Sequence, residues 1–211
     1  MYQTGSVPQV KSRLPSGRVL VVCTGNVCRS PLMQGLLRAR LTGTGLEVAS
    51  AGTGATPGSP PDPRLARLID PSGDEPWLGA RQVTQRLLDD ADLVLCAERA
   101  NRSYVVQLVP GSLRYTFTLA EFSDLAVAIN AGWSEQSTKE LTDSTLREWL
   151  VSTAARHRSQ VAPRRGESAD VVDPYRRSER VFDQMMAQVH QLLPPIADLL
   201  IRAASVGGTN A

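Results

Sequence analysis

Cysteine and histidine are scarce in this chain of 211 residues, with three of the first and two of the second. An odd, small cysteine count (Cys23, Cys28 and Cys96) argues against a disulfide framework and for a reducing compartment, so the cytoplasm is the expected location. The two histidines, His157 and His190, lie far along the chain from Cys23, which weighs against a Cys-His hydrolase. No apolar run approaches the ~20 residues of a membrane helix. The run after Lys11, Arg13 and Arg18 spans only Val19 to Cys23, too short for the core of a secretory signal, so no membrane partner is expected. Charge of one sign is missing too: 23 basic against 21 acidic side chains leave a formal +2. That balance carries no nucleic-acid footprint. A local site for a small anion needs no such excess.

The length fits one domain with a single sizeable core. Residues 1–17, broken by Gly5, Pro8, Pro15 and Gly17, read as a flexible leader, residues 18–204 as the domain and 205–211 as a tail. Val19-Leu20-Val21-Val22 is an unbroken β-branched run, suited to a central parallel strand buried on both faces. After Thr24-Gly25-Asn26 a helical pattern runs through Leu32, Leu36, Leu37 and Leu41, with Ser30 as its expected N-cap and Pro31 at the first helical position. Further strands are expected at Glu47–Ser50, Ala91–Cys96 and Tyr115–Leu119, with helices near Asp62–Ile69, Thr84–Leu88 and Asn101–Leu108 between them. This alternation predicts an α/β fold: a central four-stranded parallel sheet with helices on both faces, Rossmann-like. Residues 121–168 break the alternation. Phe122, Leu125, Val127 and Ile129 predict one helix there, and Leu141, Leu146, Trp149, Leu150 and Val151 another, followed by an exposed Arg-rich loop, Arg156–Arg165. A last helix is expected over Val181–Leu200, broken or kinked at Pro194-Pro195.

The chemistry concentrates at the first strand-to-helix turn. Cys23 closes the strand and Arg29 lies six positions on, a C-x5-R spacing, followed by Ser30. A loop of this kind, wrapped around an anion, turns the N–H groups of Thr24, Gly25, Asn26, Val27 and Cys28 inward as a nest. The next helix adds the positive end of its dipole. Arg29 can hold two phosphate oxygens with its planar fork. These groups favour a thiolate at Cys23, the species that attacks in covalent catalysis, and the Ser30 hydroxyl can support that sulfur. A bare C-x5-R is weak, because chance yields it often. Its place at a strand-to-helix junction, with Gly25 and Asn26 tolerant of positive φ, makes the functional reading the stronger one.

Val21-Val22-Cys23-Thr24-Gly25-Asn26-Val27-Cys28-Arg29-Ser30-Pro31 resembles the signature of the low-molecular-weight protein tyrosine phosphatases. Ser50-Ala51-Gly52-Thr53, Asp62-Pro63-Arg64, Ala80-Arg81-Gln82, Ala91-Asp92-Leu93-Val94-Leu95 and Asp173-Pro174-Tyr175 follow in that family's order. The resemblance implies hydrolysis of protein phosphotyrosine, with Cys23 as nucleophile, Arg29 as phosphate clamp and Asp173 as general acid and then base. It implies Tyr175 on the pocket wall, Ser50 supporting Asn26, and neither cofactor nor metal. Cys28 would neighbour Cys23 and could join it in a reversible disulfide; plain packing is the equal alternative, and Cys96 reads as core. The implied partner is a phosphotyrosine-bearing protein, a bacterial tyrosine kinase among the choices; no oligomeric state follows.

Several positions depart from the pattern. Leu78 stands where the family often has a loop-supporting histidine, and Thr56 where an aromatic wall is common, with Trp77 a potential substitute. Residues 121–168 read as a helical insertion before the Asp-Pro-Tyr loop: a lid, a partner platform or a neutral elaboration. Three rivals remain. An arsenate reductase needs further redox thiols, and only Cys96 lies outside the loop. A protein-arginine phosphatase tends to carry threonine where Val27 stands, and Val27 suits a flat ring better. An inert phosphoanion-binding module would leave Cys23 and Asp173 without chemical roles.

Overall fold

The computed structural model describes residues 17–65 and 79–207. The expected leader, apart from Gly17, lies outside the described residues, as do Leu68, Ile69, Trp77 and Leu78. Four strands, β1 (Arg18–Cys23), β2 (Glu47–Gly52), β3 (Leu93–Cys96) and β4 (Thr116–Thr118), form one sheet in the order β2-β1-β3-β4. Every pairing is parallel. This is the α/β fold the strand and helix alternation predicts.

β1 reads as a continuous apolar run because it is central and covered on both faces. Val19, Val21 and Cys23 join one core cluster, with Leu32, Met33 and Leu37 of α1 (Arg29–Arg40). Leu20 and Val22 join the other, with Leu88 of α2 (Gln85–Asp89) and Val105 of α3 (Arg99–Leu108). Alternate residues of one strand thus feed two layers, as the period of the pleat requires. Strand order reverses between β1 and β3, and the crevice beyond the carboxyl ends of such strands is where open α/β sheets bind ligands.

Beyond β4 the chain makes three helices where the sequence predicts two: α4 (Leu119–Ala131), α5 (Glu135–Thr142) and α6 (Leu146–His157). Capping boxes explain the extra break. Ser134 with Ser137 opens α5, and Thr145 with Glu148 opens α6, so Leu141 and Trp149 fall on separate helices. In α4 the buried stripe is Phe122, Leu125, Ala126 and Ile129, while Val127 faces solvent. The i, i+3, i+4, i+7 spacing selects Ala126 in its place. Trp149, 1% exposed, packs tilted against Trp133 with centroids 5.3 Å apart.

The last helix, α7 (Glu179–Gly207), is not broken at the prolines and runs further than expected. It passes through Pro194 and Pro195 as one element, flanked by fully or nearly buried Leu192, Leu193, Ile196 and Ala197. It also continues past residue 204, into the stretch read as tail. Tertiary burial on both sides outweighs the missing proline donors. Among the described residues no helix is long and apolar enough to cross a membrane.

Candidate active site

The loop leaving β1 at the reversal point is held from outside through its carbonyls. Thr53 N–H donates to Cys23 O and Gly54 N–H to Thr24 O, each at 2.9 Å, and Asp62 N–H donates to Val27 O at 2.8 Å. Helix α1 begins at Arg29, and its N-cap Cys28 makes no side-chain cap. The N–H groups of Gly25, Val27, Cys28 and Arg29 have no acceptor among the described residues. Tied carbonyls behind and unspent donors in front make a nest suited to an anion.

Asn26 is the internal brace. It is fully buried with φ 53°, a left-handed conformation that asparagine tolerates better than most residues. Its amide nitrogen donates to Ser30 Oγ and to Ser50 Oγ, both at 2.9 Å, and its Oδ1 accepts from Arg81 N–H at 2.9 Å. Its backbone N–H points at Cys23 Sγ, 3.2 Å away. The Ser30 hydroxyl lies 3.0 Å from the same sulfur. Ser30 is therefore not the N-cap that the sequence predicts, for the helix starts two residues earlier than expected, at Arg29, and this hydroxyl lies against the thiol. Behind the loop, a Cβ on Gly52 would collide with Thr24 O and come within 3.0 Å of Asn26 N, so only glycine fits that strand position.

Arg29 is 1% exposed and faces two carboxylates. Its Nη2 lies 2.9 Å from Asp173 Oδ2 and its Nη1 3.2 Å from Glu98 Oε1. Nη1 also donates to Val171 O at 3.3 Å. Cys23, Thr24, Gly25, Val27, Cys28, Arg29, Thr56, Asp173 and Tyr175 line one cavity of about 200 Å³, with Gly54 and Ser59 completing its wall. Asn26, Ser30 and Ser50 lie behind that surface as braces. All the sequence-selected residues thus converge, although Asp173 is 150 positions from Cys23 in the chain.

Burial and the neighbouring Asp62 and Cys23 push the Cys28 thiol up to about 12. Its sulfur donates to Asp62 Oδ2 across 3.6 Å. The side-chain bonds from Arg64 hold Asp62 below the usual carboxylate range, despite its partial burial. Arg64 also reaches Glu179 at 3.0 Å, tying the Asp62-Pro63-Arg64 turn to the start of α7. Cys96 is fully buried in β3, and burial pushes its thiol up, in keeping with a core role.

Sequence reasoning missed Glu98 and Asn101. Glu98 accepts from Thr24 Oγ1 at 3.0 Å, and Asn101 Nδ2 donates to that hydroxyl at 3.2 Å. The available signal was position: Glu98 lies just past the carboxyl end of β3, at the reversal point.

Several known proteins are similar to this chain. The family model described as low molecular weight phosphotyrosine protein phosphatase matches residues 18–128. A probable low molecular weight protein-tyrosine-phosphatase, EpsP of Ralstonia nicotianae, is 38% identical over 111 residues, 52% of this chain and 75% of that protein. The protein-arginine-phosphatase of Geobacillus stearothermophilus is 34% identical over 105 residues, 50% of this chain and 70% of its own. The solved structure of YwlE arginine phosphatase from that organism superposes with a TM-score of 0.59 at 24% identity, covering 86% of this chain and 91% of the other. Asp173 lies beyond the stretch that the family model matches.

Proposed function

Because the chain belongs to the low molecular weight phosphotyrosine protein phosphatase family, we propose that it hydrolyses protein phosphotyrosine through a phosphocysteine at Cys23. Arg29 is the phosphate clamp and Asp173 the general acid and base. The observation that carries this reading is one cavity bounded by a thiol, a guanidinium and a carboxylate, with the Asn26 N–H donating to the sulfur and the Ser30 hydroxyl in hydrogen-bond contact with it.

In the first half-reaction the Cys23 thiolate attacks phosphorus, the bond from phosphorus to the tyrosyl oxygen breaks, and Asp173 protonates the departing phenolate. In the second, Asp173 takes a proton from water as its oxygen attacks phosphorus. The S–P bond breaks, inorganic phosphate leaves, and the thiolate is restored. Loop N–H groups and the Arg29 fork meet the phosphoryl oxygens throughout. The Ser30 hydroxyl stabilises the sulfur as attacker and as leaving group. A phosphoryl dianion competes with Asp173 for Nη2 of Arg29, so substrate entry turns that carboxyl toward the leaving oxygen. Glu98 stays on Nη1 and holds the plane of the fork.

Val27 and Tyr175 on the cavity wall support an aryl phosphate, because apolar surface suits a ring. The proposed partners are phosphotyrosine-bearing proteins, bacterial tyrosine kinases among them, met in the cytoplasm where cysteines stay reduced. Protein-arginine phosphatase is the second reading, favoured by the 34% identity to the Geobacillus enzyme. Steady-state hydrolysis of phosphotyrosine and phosphoarginine peptides separates the two. The tyrosine substrate should be turned over, Cys23→Ser should abolish turnover, and Asp173→Asn should lower kcat about 100- to 10,000-fold. A preference for phosphoarginine would install the second reading. Phosphate binding without turnover of either peptide would leave an inert anion module.

A further inference from the structure

We infer that Arg176, Arg177 and Arg180 form a cationic rim that selects phosphotyrosines flanked by acidic residues, an inference that rests on the phosphotyrosine reading above. The chain leaves Tyr175 through a tight turn closed by Arg177 N–H donating to Pro174 O at 3.0 Å. Within it Arg176 has φ 54°, a conformation that strains a residue with a side chain. Its guanidinium carbon lies 5.1 Å from the centroid of the Tyr175 ring, at the wall of the cavity. Arg177 and Arg180 follow on the exposed approach to α7 and in its first turn.

These arginines differ from those that border a second cavity and from Arg64. Arg64 faces Asp62 and Glu179, Arg99 faces Asp170, Arg158 faces Glu121, and Arg164 faces Asp124. That second cavity, of about 400 Å³, is bordered by several of those arginines, and its cations are answered in that way. Among the described residues no carboxylate lies within ion-pair reach of Arg176, Arg177 or Arg180. Of the acidic residues nearest in sequence, Asp173 pairs with Arg29 and Glu179 with Arg64, while the exposed Asp183, one helical turn past Arg180, lies beyond ion-pair distance of it. Arg176, over the ring of the cavity-lining Tyr175, and the exposed Arg177 and Arg180 that follow it in the chain thus add positive charge beside a cavity in which Glu98 and Asp173 already offset Arg29. The occupant of matching chemistry is the polypeptide on either side of a bound phosphotyrosine, with Asp or Glu positioned for the planar forks. Each exposed contact is modest, and together they steer encounter in a salt-dependent way.

The test uses fluorescein-labelled phosphotyrosine peptides flanked by Glu, Ala or Lys, titrated with the full-length Cys23→Ser chain, which cannot turn them over. Fluorescence anisotropy should show the Glu peptide binding roughly tenfold tighter than the Ala peptide at low salt, and the Lys peptide weakest. Added salt should shrink the spread. Adding Arg177→Glu and Arg180→Glu together should invert the order. The same pair in the Cys23 background should hydrolyse p-nitrophenyl phosphate within about twofold of wild type, since that substrate has no flanking chain. Equal affinities, no measurable binding, or a preference that survives the double substitution would overturn the inference. Failure of the wild-type chain to turn over p-nitrophenyl phosphate would instead overturn the phosphotyrosine reading, leaving the binding comparison intact.

Discussion

Replacing Asn26 tests whether the loop is held by this one side chain. Asn26→Ala removes two donated bonds, to Ser30 and Ser50, and leaves Arg81 N–H without its acceptor. Each bond is worth about 0.5–1.5 kcal/mol net, and alanine at a left-handed φ costs about 1–2 kcal/mol more. The expected loss is roughly 3–6 kcal/mol, a large share of the ~5–15 kcal/mol that stabilises a typical domain. Asn26→Asp separates bracing from electrostatics. It keeps an acceptor for Arg81 N–H, and the two serine hydroxyls can turn to donate to its second oxygen, so the stability cost should be nearer ~1 kcal/mol. Turnover should nevertheless collapse. The Ser30 hydroxyl is then drawn away from Cys23, and a carboxylate lies under the site meant for a dianion. Urea unfolding and p-nitrophenyl phosphate kinetics on both variants decide the matter. If the alanine variant unfolds within about 1 kcal/mol of wild type, or the aspartate variant keeps wild-type kcat/KM, the bracing argument is wrong.

Gly52→Ala should cost about 1–3 kcal/mol by overpacking and should depress kcat further, because the added methyl collides with Thr24 O and crowds Asn26 N; unchanged kinetics would refute the close approach. A pH dependence follows from Cys28, whose thiol is pushed up to about 12 mainly by burial, then by Asp62. An unfolded thiol loses its proton near ~8.5, so the folded state binds a proton that the unfolded state has released. The stabilising contribution is complete below that pH and drains as pH climbs toward 12. Cys28→Ser does not titrate there, so its urea midpoint should fall less steeply than wild type between pH 8 and 11; parallel slopes would count against the burial argument.

Much of this arrangement is legible in sequence because it is local. The run Val19–Val22, the C-x5-R spacing and the helical stripe through Leu32 and Leu37 lie within one strand-loop-helix unit, so pattern and geometry coincide there. What escaped is long-range. Glu98 resembles an ordinary residue before a helix until the sheet order sets β3 beside β1. Ser30 resembles a cap until the loop turns its hydroxyl onto sulfur. The helices beyond β4 were miscounted because hydrophobic spacing runs across Leu141, Leu146 and Trp149, and only the capping side chains of Ser134 and Thr145 interrupt it. Proline in α7 misled for a related reason: local propensity is a weak prior when both sides of a helix are buried.

The helices between β4 and Asp173 stand apart from the proposed catalytic cavity. No described residue from 121 to 168 lines the cavity around Cys23, which argues against a lid in this arrangement. Their effect lies in where they deliver the chain afterwards. Asp170 is gripped by Arg99 at 2.7 Å, Val171 N–H donates to Ala97 O at 2.8 Å, and Val172 N–H donates to Gln188 Oε1 at 2.8 Å. Three consecutive residues are thus anchored to the start of α3, to the loop after β3 and to α7. Beyond them, Asp173 Oδ1 accepts from Tyr175 N–H at 3.2 Å while Oδ2 meets Arg29, and the carboxyl remains 46% exposed. A rigid approach with a half-open tip suits a group that must meet a guanidinium, a phenolate and a water in turn. With Asp173 as the proposed general acid, anchors on the three residues before it favour side-chain rotation over backbone travel as the way it reaches the leaving oxygen.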